Sequence, residues 1–138
     1  MLSIFRQVFA VTIFFLSIPV WATVNTIYVR LNADPFAAPH YLFSLAEDGE
    51  PIELTLVRGD SYEFIRTDSG HPFNIGDQWQ STIEALAPVS TSTQDLVDGI
   101  GSIIAGESLY IDIPIDFGPE AISYYCSVHA SMIAELSV

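Results

Sequence analysis

The sequence predicts an all-β fold, an antiparallel Greek-key β-sandwich of seven to eight strands. Three observations carry this expectation. Apolar residues recur at period two along short segments, clusters of Gly, Pro, Asn and Asp separate those segments, and no long amphipathic helical stripe interrupts them. Short alternating strands of this kind need a second sheet to bury their apolar faces, which is the sandwich solution.

The first 22 residues stand apart from that pattern. One positive charge, Arg6, precedes the uncharged run VFAVTIFFLSIPVW at positions 8–21, and Val20 and Ala22 place small residues at −3 and −1 of a cleavage site. This is the layout of a secretory signal peptide. The run is shorter than the roughly 20 apolar residues of a membrane span, although a retained N-terminal anchor is the alternative. Positions 23–138 then form one domain of ordinary size, expected to be a monomer without a membrane span.

Within that domain, Ile27, Val29 and Leu31 share one face of a first strand, and Asn32, Asp34, Pro35 and Pro39 mark a loop. A second apolar run covers 40–45. Ile52, Leu54 and Leu56 alternate with Glu53 and Thr55, predicting a third strand. A tight turn at Arg58, Gly59 and Asp60 leads into a strand with Tyr62 and Phe64 on one face. His71 and Pro72 open a short strand through Ile75, where an early proline suits a strand start or an edge. Positions 76–107 are the least regular, with Trp79, a Ser/Thr-rich patch and a stretch at 82–87 compatible with a short helix. A connection of that length implies a role or structure of its own: a lid, a partner surface or a long link. Three strands, at 108–113, 121–126 and 133–138, complete the set.

Charge excludes one class of partner. The chain has 17 acidic residues against 4 basic ones, a net charge of −13, and after the leader only Arg30, Arg58 and Arg66 remain as strong bases. Such a surface does not neutralise phosphates, so nucleic acid is excluded. Two readings of the acidity remain: a solvated, self-repelling surface, or one that steers a basic protein partner into transient contact.

The single cysteine is more informative. An exported domain with one thiol forms no internal disulfide, and an exposed thiol is a liability in an oxidising compartment. Cys126 is therefore either buried and inert or occupied. It begins the spacing C-x2-H-x2-M, which sets Cys126, His129 and Met132 at the end of the strand in which Ile122, Tyr124 and Cys126 point the same way. A second histidine would complete two imidazoles, a thiolate and a thioether. Thiolate and thioether are soft donors suited to Cu(I), imidazole suits both copper states, and a trigonal His2Cys set with a weak axial Met belongs to blue-copper electron-transfer centres. Zinc favours four firm ligands, and calcium and magnesium favour oxygen. Spacing does not choose between His71 and His40 as the distant ligand.

Tyr124 to Met132 (YYCSVHASM) resembles the copper-ligand loop of the plastocyanin and amicyanin branch of cupredoxins, and 56–64 (LVRGDSYEF) followed by Gly70 and His71 resembles the strand pair that leads to the family's first histidine. The resemblance covers 56–75 and 108–138. It implies a cupredoxin-like sandwich binding one copper ion, Cu(I)/Cu(II), through His71, Cys126 and His129 with Met132 as the weak axial ligand; His40 is then a surface or packing residue. It implies an electron carrier serving transient redox protein partners. The leader implies export to the periplasm or outside the cell, and the lack of a Ser-His-Asp set, with the one thiol committed, argues against an enzyme. Two electron routes follow from the resemblance: the edge of His129 within an apolar patch drawn from Pro72, Phe73, Val128 and Ala130, or Tyr125, which otherwise reads as an outward strand aromatic. Two departures stand out. Only two residues separate His129 from Met132, and Pro72 has no backbone N–H to support the ligand loop, a task for which Asn74 and Ser127 are candidates. Other readings of the same residues are a copper carrier or storage protein, and a sandwich that binds without metal.

Overall fold

A computed structural model describes residues 23–81, 86, 89–92, 95–96 and 102–138. The signal-peptide expectation for 1–22 and most of the helix expectation for 82–87 lie outside the described residues. These residues are all-β and form nine strands: β1 (Val24–Leu31), β2 (Tyr41–Ser44), β3 (Ser61–Arg66), β4 (Phe73–Gly76), β5 (Val89–Thr91), β6 (Asp95–Leu96), β7 (Ser108–Asp112), β8 (Ala121–Cys126) and β9 (Ile133–Ser137). One sheet runs β2-β1-β3-β7-β5-β6 and the other β4-β8-β9.

Period-two burial builds the core between them. In β3 the pattern buries Tyr62, Phe64 and Arg66 and leaves Ser61, Glu63 and Ile65 partly open. Phe64 in one sheet and Phe73 in the other lie 5.8 Å apart, centroid to centroid, and Phe43 meets Tyr124 edge-on at 5.3 Å. Ile27, Val29, Leu109 and Ile111 from the first sheet join Ile75, Ile122 and Leu136 from the second. Aromatic rings bury large apolar areas and prefer such tilted contacts.

Two expectations are corrected. β1 and β3 pair in parallel, Val24 opposite Ser61, while the other ladders are antiparallel. The parallel pair arises because the chain leaves β2, crosses to the far sheet and re-enters after a turn at Gly59, whose φ of 92° favours glycine. The crossing segment holding Ile52, Leu54 and Leu56 is not a strand of either sheet. It makes one bridge to Phe43 of β2 and one to Ser137 of β9, and so straps the sheets together at one side. Alternation reports which side chains turn inward; it carries no information about which backbone they pair with. Leu56 is accordingly buried, while Ile52 stays exposed.

The irregular 76–107 region contributes β5 and β6, which extend the first sheet beyond β7. Its Ile103 exchanges both backbone bonds with Phe73, at 2.9 and 2.8 Å, and fastens the region to the start of β4.

Candidate metal centre

The register of β4 on β8 sets Phe73 opposite Cys126. His71, two residues before Phe73, therefore emerges beside the cysteine at the same end of the sandwich. It does so through two consecutive left-handed residues, Gly70 at φ 80° and His71 at φ 44°. A histidine in that region is uncommon and is held there by its surroundings. The Tyr41 hydroxyl donates to the His71 carbonyl at 2.6 Å and approaches the Pro72 carbonyl at 3.1 Å, and Arg66 Nη2 donates to the Gly70 carbonyl at 2.9 Å.

After Cys126 the chain folds back at once. Met132 N donates to the His129 carbonyl at 3.0 Å, and Cys126 N donates to the Met132 carbonyl at 2.9 Å. The loop is thus closed on itself, with Cys126 and Met132 fully buried and His129 half-buried. Trp79 Nε1 donates to the Cys126 carbonyl at 2.9 Å and Gln80 Nε2 to the Ser127 carbonyl at 3.1 Å, so the segment after β4 grips the loop from outside.

Three side-chain atoms converge: His71 Nδ1 and His129 Nδ1 at 3.1 Å, Cys126 Sγ and His129 Nδ1 at 3.6 Å, Cys126 Sγ and His71 Nδ1 at 3.8 Å. A metal about 2.0–2.1 Å from imidazole nitrogens and about 2.3 Å from a thiolate sulfur spaces its ligand atoms roughly 3–4 Å apart. All three edges of the triangle fall in that range, so the residues present fit a metal ion. Two Nδ1 atoms facing each other are ill-matched as neutral groups unless one carries a proton; a shared cation satisfies both lone pairs and the sulfur together. Burial, reinforced by the charges of His129 and Arg66, holds the His71 imidazole below its usual range and so favours the neutral form that ligates.

Of the sequence-derived ligands, His71, Cys126 and His129 are brought together as a group able to hold a metal, and Met132 is buried at the close of the same loop. His40 is a packing residue, buried with Nδ1 2.8 Å from the Pro35 carbonyl. The missing Pro72 donor is replaced by a bond of opposite sense: Ser127 N donates to the Pro72 carbonyl at 3.2 Å. Asn74 spends its side-chain oxygen on Ile75 N, and Ser127 Oγ bonds Ser102 Oγ at 2.9 Å. Tyr125 lies on the outer side of β8, apart from the core cluster, yet it is not exposed. It is fully buried under the turn after β4, with its hydroxyl 3.3 Å from the Ser81 carbonyl. Phe73 belongs to the core and leaves the expected patch, whereas Val128 and Ala130 are exposed.

Sequence reasoning missed three residues. Phe36, 58% exposed, stands edge-on to both imidazoles, at 5.4 Å from His71 and 5.5 Å from His129. Nothing in a proline-rich loop 35 residues upstream of His71 signals that placement. Tyr41 reads as an ordinary strand aromatic. Arg66 alone left a trace, because it continues the inward alternation of Tyr62 and Phe64. No protein-family model, curated protein or solved structure matches this chain.

Proposed function

We propose that this chain is an exported type 1 copper protein of the cupredoxin kind that carries single electrons between protein partners. The observation that carries the reading is the triangle of His71 Nδ1, Cys126 Sγ and His129 Nδ1, on elements that a rigid sandwich holds in place. The donor set argues for copper, since a thiolate stabilises Cu(I) and imidazoles accept either state. Met132 serves as the weak fourth ligand. When bound, the copper supplies the one-electron Cu(II)/Cu(I) couple; the protein's part is to hold the ligand atoms so that little rearrangement accompanies the change.

Electrons enter and leave at the half-buried edge of His129, beside exposed Val128 and Ala130. Partners meet that face briefly, and the acidic surface favours those with basic surroundings. No described helix is long and apolar enough to cross a membrane; the leader-like layout of residues 1–22 supports a domain that works outside the cytoplasm, in the periplasm or beyond the cell.

Titration of the purified domain with Cu(II) tests this. An intense visible thiolate-to-copper absorption is expected, and Cys126→Ser should abolish it; a colourless titration would overturn the assignment. Met132→Leu, which conserves volume, should keep the colour and move the reduction potential. Reversible one-electron voltammetry is expected of the wild type. Tight Cu(I) binding with silent voltammetry would instead indicate a copper carrier.

A further inference from the structure

Arg66 is the third inward position of β3, and its side chain is completely buried. A guanidinium in such a place has to find partners, because burying a charge without them is costly. Its Nη1 donates to the Val29 carbonyl at 3.2 Å and pairs with Asp68, and its Nη2 donates to the Gly70 carbonyl. Its Nε has no hydrogen-bond partner among the described residues. The guanidinium carbon lies 5.3 Å from the centre of the Tyr41 ring.

The ion pair is lopsided. The Asp68 side chain is 41% exposed and Arg66 is not exposed at all. Its second oxygen accepts from Leu31 N at 2.9 Å. The carboxylate thus has a water-facing part, while the oxygen that pairs with Arg66 is buried with the guanidinium on the inner side. That inner side adjoins the candidate metal centre: Gly70 immediately precedes His71, and Tyr41, whose ring faces the guanidinium, grips the His71 carbonyl.

Two carbonyl oxygens need only neutral donors. A full charge, always present on arginine, adds a field that a neutral donor lacks. We infer that Arg66 is a specificity-determining residue that biases the His71–Cys126–His129 site towards monovalent over divalent metal ions. Two neutral imidazoles and one thiolate contribute a single negative charge. With a monovalent ion the cluster is neutral and Arg66 is indifferent to it; with a divalent ion the cluster is cationic and Arg66 repels it. For a copper couple the same field favours Cu(I). The inference rests on the metal-centre reading proposed above.

Competition titrations of the apoprotein decide it, with Cu(I) against a chromogenic Cu(I) chelator and Zn(II) against a fluorescent one. Arg66→Met should lower the ratio of Cu(I) to Zn(II) affinity roughly three- to tenfold, as expected for removing one partly shielded charge at an effective dielectric of about 20. Arg66→Lys should keep the ratio near the wild-type value. Asp68→Asn, which removes the shielding carboxylate and keeps the guanidinium, should raise it, and it decides the matter if Arg66→Met fails to fold. A wild type that binds both metals, with a ratio that no variant moves, overturns the inference and leaves the metal centre standing; uniform weakening of both metals in Arg66→Met would make Arg66 a packing residue only. A wild type that binds neither metal overturns the metal centre, and the inference with it.

Discussion

The Tyr41 hydroxyl lies 2.6 Å from the His71 carbonyl, tying an edge strand of one sheet to the left-handed turn that precedes the other. That bond bears on a residue held at φ 44°. Tyr41→Phe keeps the ring and removes the donor, leaving a partly buried carbonyl without that bond. The apoprotein should lose about 1–3 kcal/mol in denaturant melts, and metal affinity should drop about tenfold or more, as is usual when a group that orients a ligand is lost. An unchanged melt with unchanged affinity would mean that the turn needs no such tie.

Phe36 makes a different kind of contribution. Its ring is 58% exposed, so little burial is at stake, yet it covers the edges of both imidazoles. Phe36→Ala should shift stability by no more than about 1 kcal/mol. It should speed removal of bound metal by an external chelator severalfold, because water and chelator gain access to the ligand edges. Stopped-flow transfer of metal to the chelator reads this directly.

Gly76 ends β4 where the chain turns back over Tyr125. A Cβ there would collide with the Ser81 carbonyl oxygen and come within 2.9 Å of the Tyr125 ring. Gly76→Ala should therefore cost about 1–3 kcal/mol. The same change should loosen the Trp79 and Gln80 contacts to the ligand loop. Thermal melts, with Trp79 fluorescence as a local probe, check both effects.

Alkali should act through the buried phenols. Burial pushes Tyr41, Tyr62 and Tyr124 above their ordinary value of 10.0, and burial together with the Asp77 charge pushes Tyr125 up to about 12. The unfolded chain releases these protons from about pH 10, whereas the folded chain retains them. Their effect on stability is therefore absent below pH 10 and turns destabilising as pH rises towards 12. Denaturant midpoints should fall over that window, and phenolate absorbance from these tyrosines should appear together with unfolding.

The sequence made the two-layer β architecture legible because burial on alternate residues is written directly in Tyr62 and Phe64, in Ile27 and Val29, and in Ile122 and Tyr124. It also made the candidate ligand group legible in part: Cys126 and His129 share one loop, whereas the resemblance to the cupredoxin pattern, and not spacing, selects His71 over His40. Pairing was harder to read. Ile52, Leu54 and Leu56 alternate like a strand, yet their backbone bridges two sheets, which depends on partners far along the chain. The burial of Tyr125 is illegible for a related reason: its outward face is covered by the turn around Ser81, and no local pattern announces a cover supplied from elsewhere. Phe36, Tyr41 and Arg66 support or cover the centre from other segments, and only tertiary folding brings them near it.

The strap formed by Ile52 and its neighbours has a consequence beyond joining two layers. β2 and β9 are edge strands of their respective sheets, and each would present unpaired backbone groups to any passing extended chain. Ile52 N donates to the Phe43 carbonyl at 2.8 Å and Leu56 N to the Ser137 carbonyl at 2.8 Å, so one short segment occupies hydrogen-bonding positions on both edges. With Pro51 and Glu53 also in that stretch, a foreign strand meets a proline and a carboxylate instead of an open ladder. The crossing that makes β1 and β3 parallel thus also guards this side of the molecule against edge-to-edge aggregation.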